Sequence, residues 1–104
     1  MSGAVTRSHL SDGRVVGWYG EPGVVVDAET TTSDPPPALV ARHGKTDFWA
    51  RWTASECQAK LADVPIVIWL RGHELGSGPG HVETRPEVWP GVIVSVGRAE
   101  APGS

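Results

Sequence analysis

Residues 64–70 read Val-Pro-Ile-Val-Ile-Trp-Leu, the longest near-continuous apolar run in the chain. A short run that is apolar at nearly every position reads as a strand covered on both faces, so Val64–Leu70 is expected to form the centre of a sheet. Pro65 cannot continue a helix arriving from the N-terminal side, which ends any preceding helix near Asp63. That helix is expected to start at Thr53-Ala54-Ser55-Glu56, which has the spacing of a capping box. The Thr53 hydroxyl would accept from the Glu56 N–H while the carboxylate reaches back to the Thr53 N–H. Ala50, Ala54, Cys57 and Leu61 then fall on one narrow stripe.

Working toward the N-terminus, Lys45–Trp52 fits either element. Phe48, Ala50 and Trp52 alternate as in a strand, while Phe48, Trp49 and Trp52 would cluster on a helix. Ala38–His43 reads as a short strand broken by Gly44. The triple proline 35–37 in Ser33–Pro37 must leave any sheet, because it has no N–H to give a ladder, and reads as a rigid connector. Arg14–Tyr19 and Val24–Thr32 are β-rich and are joined by Gly20-Glu21-Pro22-Gly23, whose Pro and Gly suit a type II turn, so they are expected to pair as a hairpin. Met1–Gly13 is polar and aperiodic and reads as a tail.

Toward the C-terminus, Arg71–Pro86 is rich in Gly and Pro and reads as a long loop. A last strand is expected around Val88–Gly97, with Pro90 placing part of it at an edge or bulge. Ala99–Ser104 reads as a second tail. The fold expected is therefore α+β and β-rich: a twisted, mostly antiparallel sheet or small partly open barrel of about six strands with one short helix. It occupies one domain over residues 14–98, between tails 1–13 and 99–104.

Composition agrees with this picture. Leu, Ile, Val and Phe number 23 of 104 residues, just above the roughly 20% below which chains tend to stay disordered. Fourteen of the 23 are Val, a residue that packs well on a pleated surface and loses side-chain freedom in a helix. The net charge of −3 and the lack of a basic run argue against nucleic acid as a partner. The apolar runs fall well short of the ~18 residues that a membrane span needs, and Met1–Asp12 lacks the apolar region of a signal peptide. Cys57 is the single cysteine, so no intramolecular disulfide forms, and a reducing setting fits best. Location in the cytoplasm, or in a particle assembled inside the cell, is the corresponding expectation.

The motifs that resemble catalytic or binding machinery are each incomplete. Gly44-Lys45-Thr46 has the ending of a phosphate loop, but the position of its first glycine is Leu39. Gly76-Ser77-Gly78-Pro79-Gly80 is glycine-rich, yet Pro79 removes a donor and Pro86 interrupts the helix that should follow. His73, Glu74, His81 and Glu83 are residue types that suit zinc, but the two histidines are eight apart across a Gly/Pro loop and lack the spacing that sets two ligands on one helical face. Cys57 would need His43 or His73 as a base to act as a nucleophile, and its place on an apolar stripe fits a small buried side chain better. No catalytic residue, metal or cofactor is expected.

Five Trp in so short a chain is the most unusual feature. Trp49, Trp52 and Trp69 lie in apolar segments and are expected in the core. Trp18, Tyr19 and Trp89 stand beside turn or edge signals, where rigid aromatics provide contact surface, and are the candidate interface residues. The function expected is that of a non-catalytic structural or interaction subunit of a larger assembly, such as a phage virion component or a regulatory complex. It would bind a protein partner or copies of itself. The alternatives are a small metal-dependent hydrolase using the His73/Glu74/His81 loop, and a single-stranded nucleic-acid-binding barrel that stacks bases on Trp.

Overall fold

The structure is a computed structural model that describes residues 5–10, 13–19, 23–78 and 80–98. The side chains of Val5, Thr6, Trp18, Tyr19, Pro86 and Val88 lie outside the described set. In chain order the elements are β1 Val5–His9, β2 Val15–Tyr19, β3 Val24–Thr30, α1 Pro37–His43, α2 Phe48–Ala62, α3 Ile66–Gly72, β4 His81–Trp89 and β5 Val92–Arg98. The class is α+β, with every described strand pairing antiparallel and no closed barrel. β1 pairs with β2 in a two-stranded sheet, and a three-stranded sheet runs in the order β3-β5-β4.

β5 is the centre of the larger sheet because it can be buried on both faces. Val92, Val94 and Val96 alternate with Ile93, Ser95 and Gly97, and only the Val96 position is less than buried. On one face Val26, Ala28, Val92 and Val94 pack with Leu10, and Val16 and Val96 lie against that cluster. Leu10 and Val16 come from the β1–β2 hairpin, which thus covers part of this face. On the other face lies α2. Helix and sheet approach so closely at Gly97 that a Cβ built there would stand 3.0 Å from the Cβ of Cys57. The far side of α2 meets α1 and α3 in a second cluster, with Phe48, Ala59, Trp69, Leu70 and Leu75 at its centre. Being packed on two sides, α2 has no single apolar stripe.

Several sequence expectations are corrected here. Val64–Leu70 is not a central strand but holds the first five residues of α3, Ile66–Gly72. Pro65 stands at the helix start, where a missing N–H costs nothing, and its carbonyl accepts from Ile68 and Trp69, each at 3.0 Å. The run also faces solvent in part, with Val67 and Ile68 exposed. Ala38–His43 likewise belongs to a helix, α1, whose first turn holds Pro37 and closes onto the Pro36 carbonyl. There are three helices among the described residues rather than one, and five strands.

The capping box at Thr53 does not form, because α2 begins at Phe48 behind Asp47, a left-handed residue with φ 48°. Thr53 is instead fully buried in the middle of the helix. The helical alternative for Phe48, Trp49 and Trp52 is the one realised: Phe48 packs edge-on to Trp49 and stacks with Trp52. β2 and β3 are both strands but do not pair with each other; β2 takes β1 as its partner, within the segment expected to be an aperiodic tail. The turn residues 20–22 of the expected hairpin lie outside the described residues. The C-terminal third holds two strands, β4 and β5, joined at Pro90-Gly91, so β4 occupies part of the expected loop.

Candidate interaction groove

The hairpin covers the β3 side of its sheet face and leaves the β4 side open. There a groove of about 410 Å³ runs between β2 and the sheet. Its floor is apolar, formed by Val26, Val94 and Val96, and Val16 of β2 forms one wall. Trp89, at the end of β4, forms the opposite end and remains 50% exposed. Strand alternation puts His81, Glu83 and Arg85 on the same face, where they form a charged rim with Arg98 of β5. An apolar floor with a half-exposed indole and a polar rim is a combination chemically suited to contact with another macromolecule.

Of the candidate interface residues, Trp89 lies in this groove. Trp18 and Tyr19 are in β2, opposite Thr6 and Val5 of β1, and their side chains are outside the described set. Gly17, the neighbour of Trp18, lines the groove, so β2 and Trp89 contribute to one site. The rim residues do not stand out as a group in the sequence. Their signal is the spacing His81, Glu83, Arg85, a period-two run of charge that marks the exposed face of a strand, obscured by the glycines just before it.

The candidate metal ligands are dispersed. His73 stacks on Trp69 at 3.7 Å between ring centres, with Nδ1 3.1 Å from the Trp69 carbonyl. Glu74 is exposed and lies 3.8 Å from Nδ1 of His43. His81 and Glu83 belong to the groove on the other side of the molecule's sheet. Among the described residues no three His, Cys, Asp or Glu side chains gather as a metal site. The loop that carries the expected ligands is instead bound to α2: the Gln58 amide both donates to and accepts from Gly80, at 2.6 and 2.7 Å, and Ser55 Oγ accepts from Gly76 N–H.

The remaining ionisable groups with altered chemistry lie inside, where α2, β1 and β3 meet. Ser8 Oγ accepts from the Ala28 N–H at 2.9 Å, and its proton points to the Ala28 carbonyl or to Asp27 Oδ1, each at 3.1 Å. Lys60 Nζ donates to the Val26 carbonyl at 2.7 Å and lies 3.4 Å from Asp27 Oδ1. Burial pushes the Asp27 carboxyl up to about 7; Lys60 opposes this and Glu56 adds to it. Burial also raises Glu56 and Glu29, against Lys60 and a Trp52 hydrogen bond respectively. Cys57 is fully buried, donates to the Ser95 carbonyl at 3.3 Å, and is pushed up to about 12, first by burial and then by Asp27. Ser8, Asp27 and Lys60 thus join the hairpin, the helix and β3, and Cys57 joins the helix to β5. The thiol is buried, as the sequence suggests.

A second depression, of about 640 Å³, lies under the N-terminal half of α2, between Phe48, Ala54 and Ile93, and opens beside Thr84 of β4. No described helix is long and apolar enough to cross a membrane. Comparison with family models, with curated proteins and with solved structures finds no match among any of the three.

Proposed function

We propose that this chain is a non-catalytic interaction subunit of a larger assembly, of the class to which virion components and regulatory complexes belong. The observation that carries this reading is the open groove, where Trp89 stands half exposed over a valine floor. A large apolar ring left in solvent is costly for a lone domain and gains most when a partner covers it. Consistent with that role, Ser8, Asp27, Cys57 and Lys60 are engaged in structural contacts in the interior. The partner is a protein, and the groove suits an apolar or aromatic side chain flanked by charge.

The test is crosslinking in the native source, comparing wild type with Trp89→Ala. A partner crosslinked to β2 or β4 in wild type and lost in the variant supports the reading. An identical partner set in both overturns it.

A second reading, single-stranded nucleic-acid binding, has in its favour that Trp89 shares the groove with Arg85 and Arg98. Glu83 beside Arg85 and the net charge of −3 count against it. Titration of the tryptophan fluorescence with oligonucleotides at low salt decides between the two. Quenching that disappears at high salt favours the second reading.

A further inference from the structure

The two outer edges of the three-stranded sheet are treated differently. Along β3, Ser8 Oγ binds both the N–H and the C=O of Ala28, and Lys60 binds the C=O of Val26. That edge is closed by side chains acting as ladder partners. Along β4, no described strand pairs with the outer edge. The hydrogen-bond phase of the sheet fixes which groups are presented there. Because the Ala28 groups point away from β5, Val94 opposite it turns its own pair toward Arg85. The next positions along β4, Val82 and Thr84, therefore direct their N–H and C=O outward.

We infer that this edge is filled by β4 of a second copy of the same chain, antiparallel about a twofold axis through Thr84. This deepens the interaction-subunit reading and rests on it. Charge complementarity selects the register. With the axis at Thr84, Glu83 of each chain stands opposite Arg85 of the other, so both of these cross-strand pairs are of opposite sign. An axis one residue earlier would set Glu83 against Glu83, and one residue later Arg85 against Arg85. In the favoured register the Thr84 residues exchange both backbone bonds. Val82 comes opposite Pro86, which has no N–H, and the β4 irregularity between Arg85 and Trp89 follows. The ladder is thereby kept short and cannot slide. The product is a six-stranded sheet continuous through both chains, a closed twofold pair that leaves the Ser8-capped β3 edges at its ends.

Within one chain Glu83 and Arg85 already lie 3.4 Å apart, with side chains 65% and 69% exposed, so charge reversal at either leaves the core untouched. The experiment is sedimentation of the full-length protein over a concentration series, for wild type, Glu83→Arg, Arg85→Glu and an equimolar mixture of the two variants. Wild type is expected to dimerise. Each variant alone faces like charges twice across the axis and should self-associate about tenfold more weakly or worse. The mixture should restore dimers, because one chain then carries arginine at both positions and the other glutamate at both, so that both cross-strand pairs are again of opposite sign. A wild type that stays monomeric, or a mixture that fails to associate, overturns the inference and leaves the edge to a strand from a different protein. Partner crosslinking that still depends on Trp89 in that case would show that only the self-pairing is wrong.

Discussion

Thr53 Oγ1 and Ser95 Oγ stand 2.7 Å apart, both fully enclosed between α2 and the sheet. Ser95 Oγ is also 2.7 Å from Thr84 Oγ1, and Thr53 lies 3.0 Å from the Trp49 carbonyl. Because a carbonyl only accepts, the proton order is fixed: Thr84 donates to Ser95, Ser95 to Thr53, and Thr53 to the helix backbone. Three hydroxyls are thus satisfied in a line that crosses from β4 through β5 to α2.

Thr53→Val, which keeps the shape and removes the hydroxyl, should cost about 1–2 kcal/mol in chemical denaturation, because Ser95 loses its buried acceptor. Thr53→Asp separates this role from capping. At a helix start aspartate would be tolerated, whereas in the observed position it buries a carboxylate and should destabilise far more than valine.

Gly97→Ala should destabilise by about 1–3 kcal/mol. The added methyl would stand 3.0 Å from the Cβ of Cys57 and 3.2 Å from Leu61 and Val25. A helix Cβ cannot swing aside as a side-chain end can, so α2 itself must lift. Unchanged thermal stability would show that the helix is not seated as described.

Cys57 should react slowly with thiol reagents in the folded protein and quickly once denaturant is added. A thiol pushed up to about 12 holds almost no thiolate at a mildly alkaline pH of about 8, and the side chain is fully buried. Rapid labelling of the native protein would contradict both features.

Asp27 makes stability depend on pH in a direction opposite to that of a salt-bridged carboxylate. Its folded value, about 7, lies above its ordinary 3.8, so between these limits the native state holds a proton that the unfolded chain releases. Stability should therefore fall as pH rises from about 4 to about 7, by at most about 1.4 kcal/mol per pH unit for this group. Glu29 and Glu56, also raised by burial, act in the same sense. Asp27→Asn should flatten the profile in urea melts across this range; an unchanged slope would place the dependence elsewhere.

The strands legible in the sequence are those whose pattern is decided by their own residues. β3 and β5 are valine-rich with two buried faces, and the burial of Cys57 follows from its apolar neighbours in α2. The short helices are hidden because seven residues carry too little periodicity to separate helix from strand. In α1 and α3 the deciding signal is a proline just before the helix or in its first turn, which in sequence reads equally well as a break. Strand pairing is hidden for a different reason: β3 passes over its neighbour β2 to join β5 at the other end of the chain, a choice made by packing on α2. The groove follows that topology. Trp89 can be identified from Pro90 beside it, but its valine floor combines β3 and β5, and its far wall comes from β2.

The double-sided burial of α2 ties the two cores together. The aromatic layer against α1 and α3 includes Phe48 and Ala59 of this helix, and Gly97 and Ser95 of the sheet pack on its other side, so the helix cannot leave without opening the aromatic layer and uncovering one face of the sheet. The α2 amides are therefore expected to exchange with opening of the larger fold and not by local fraying.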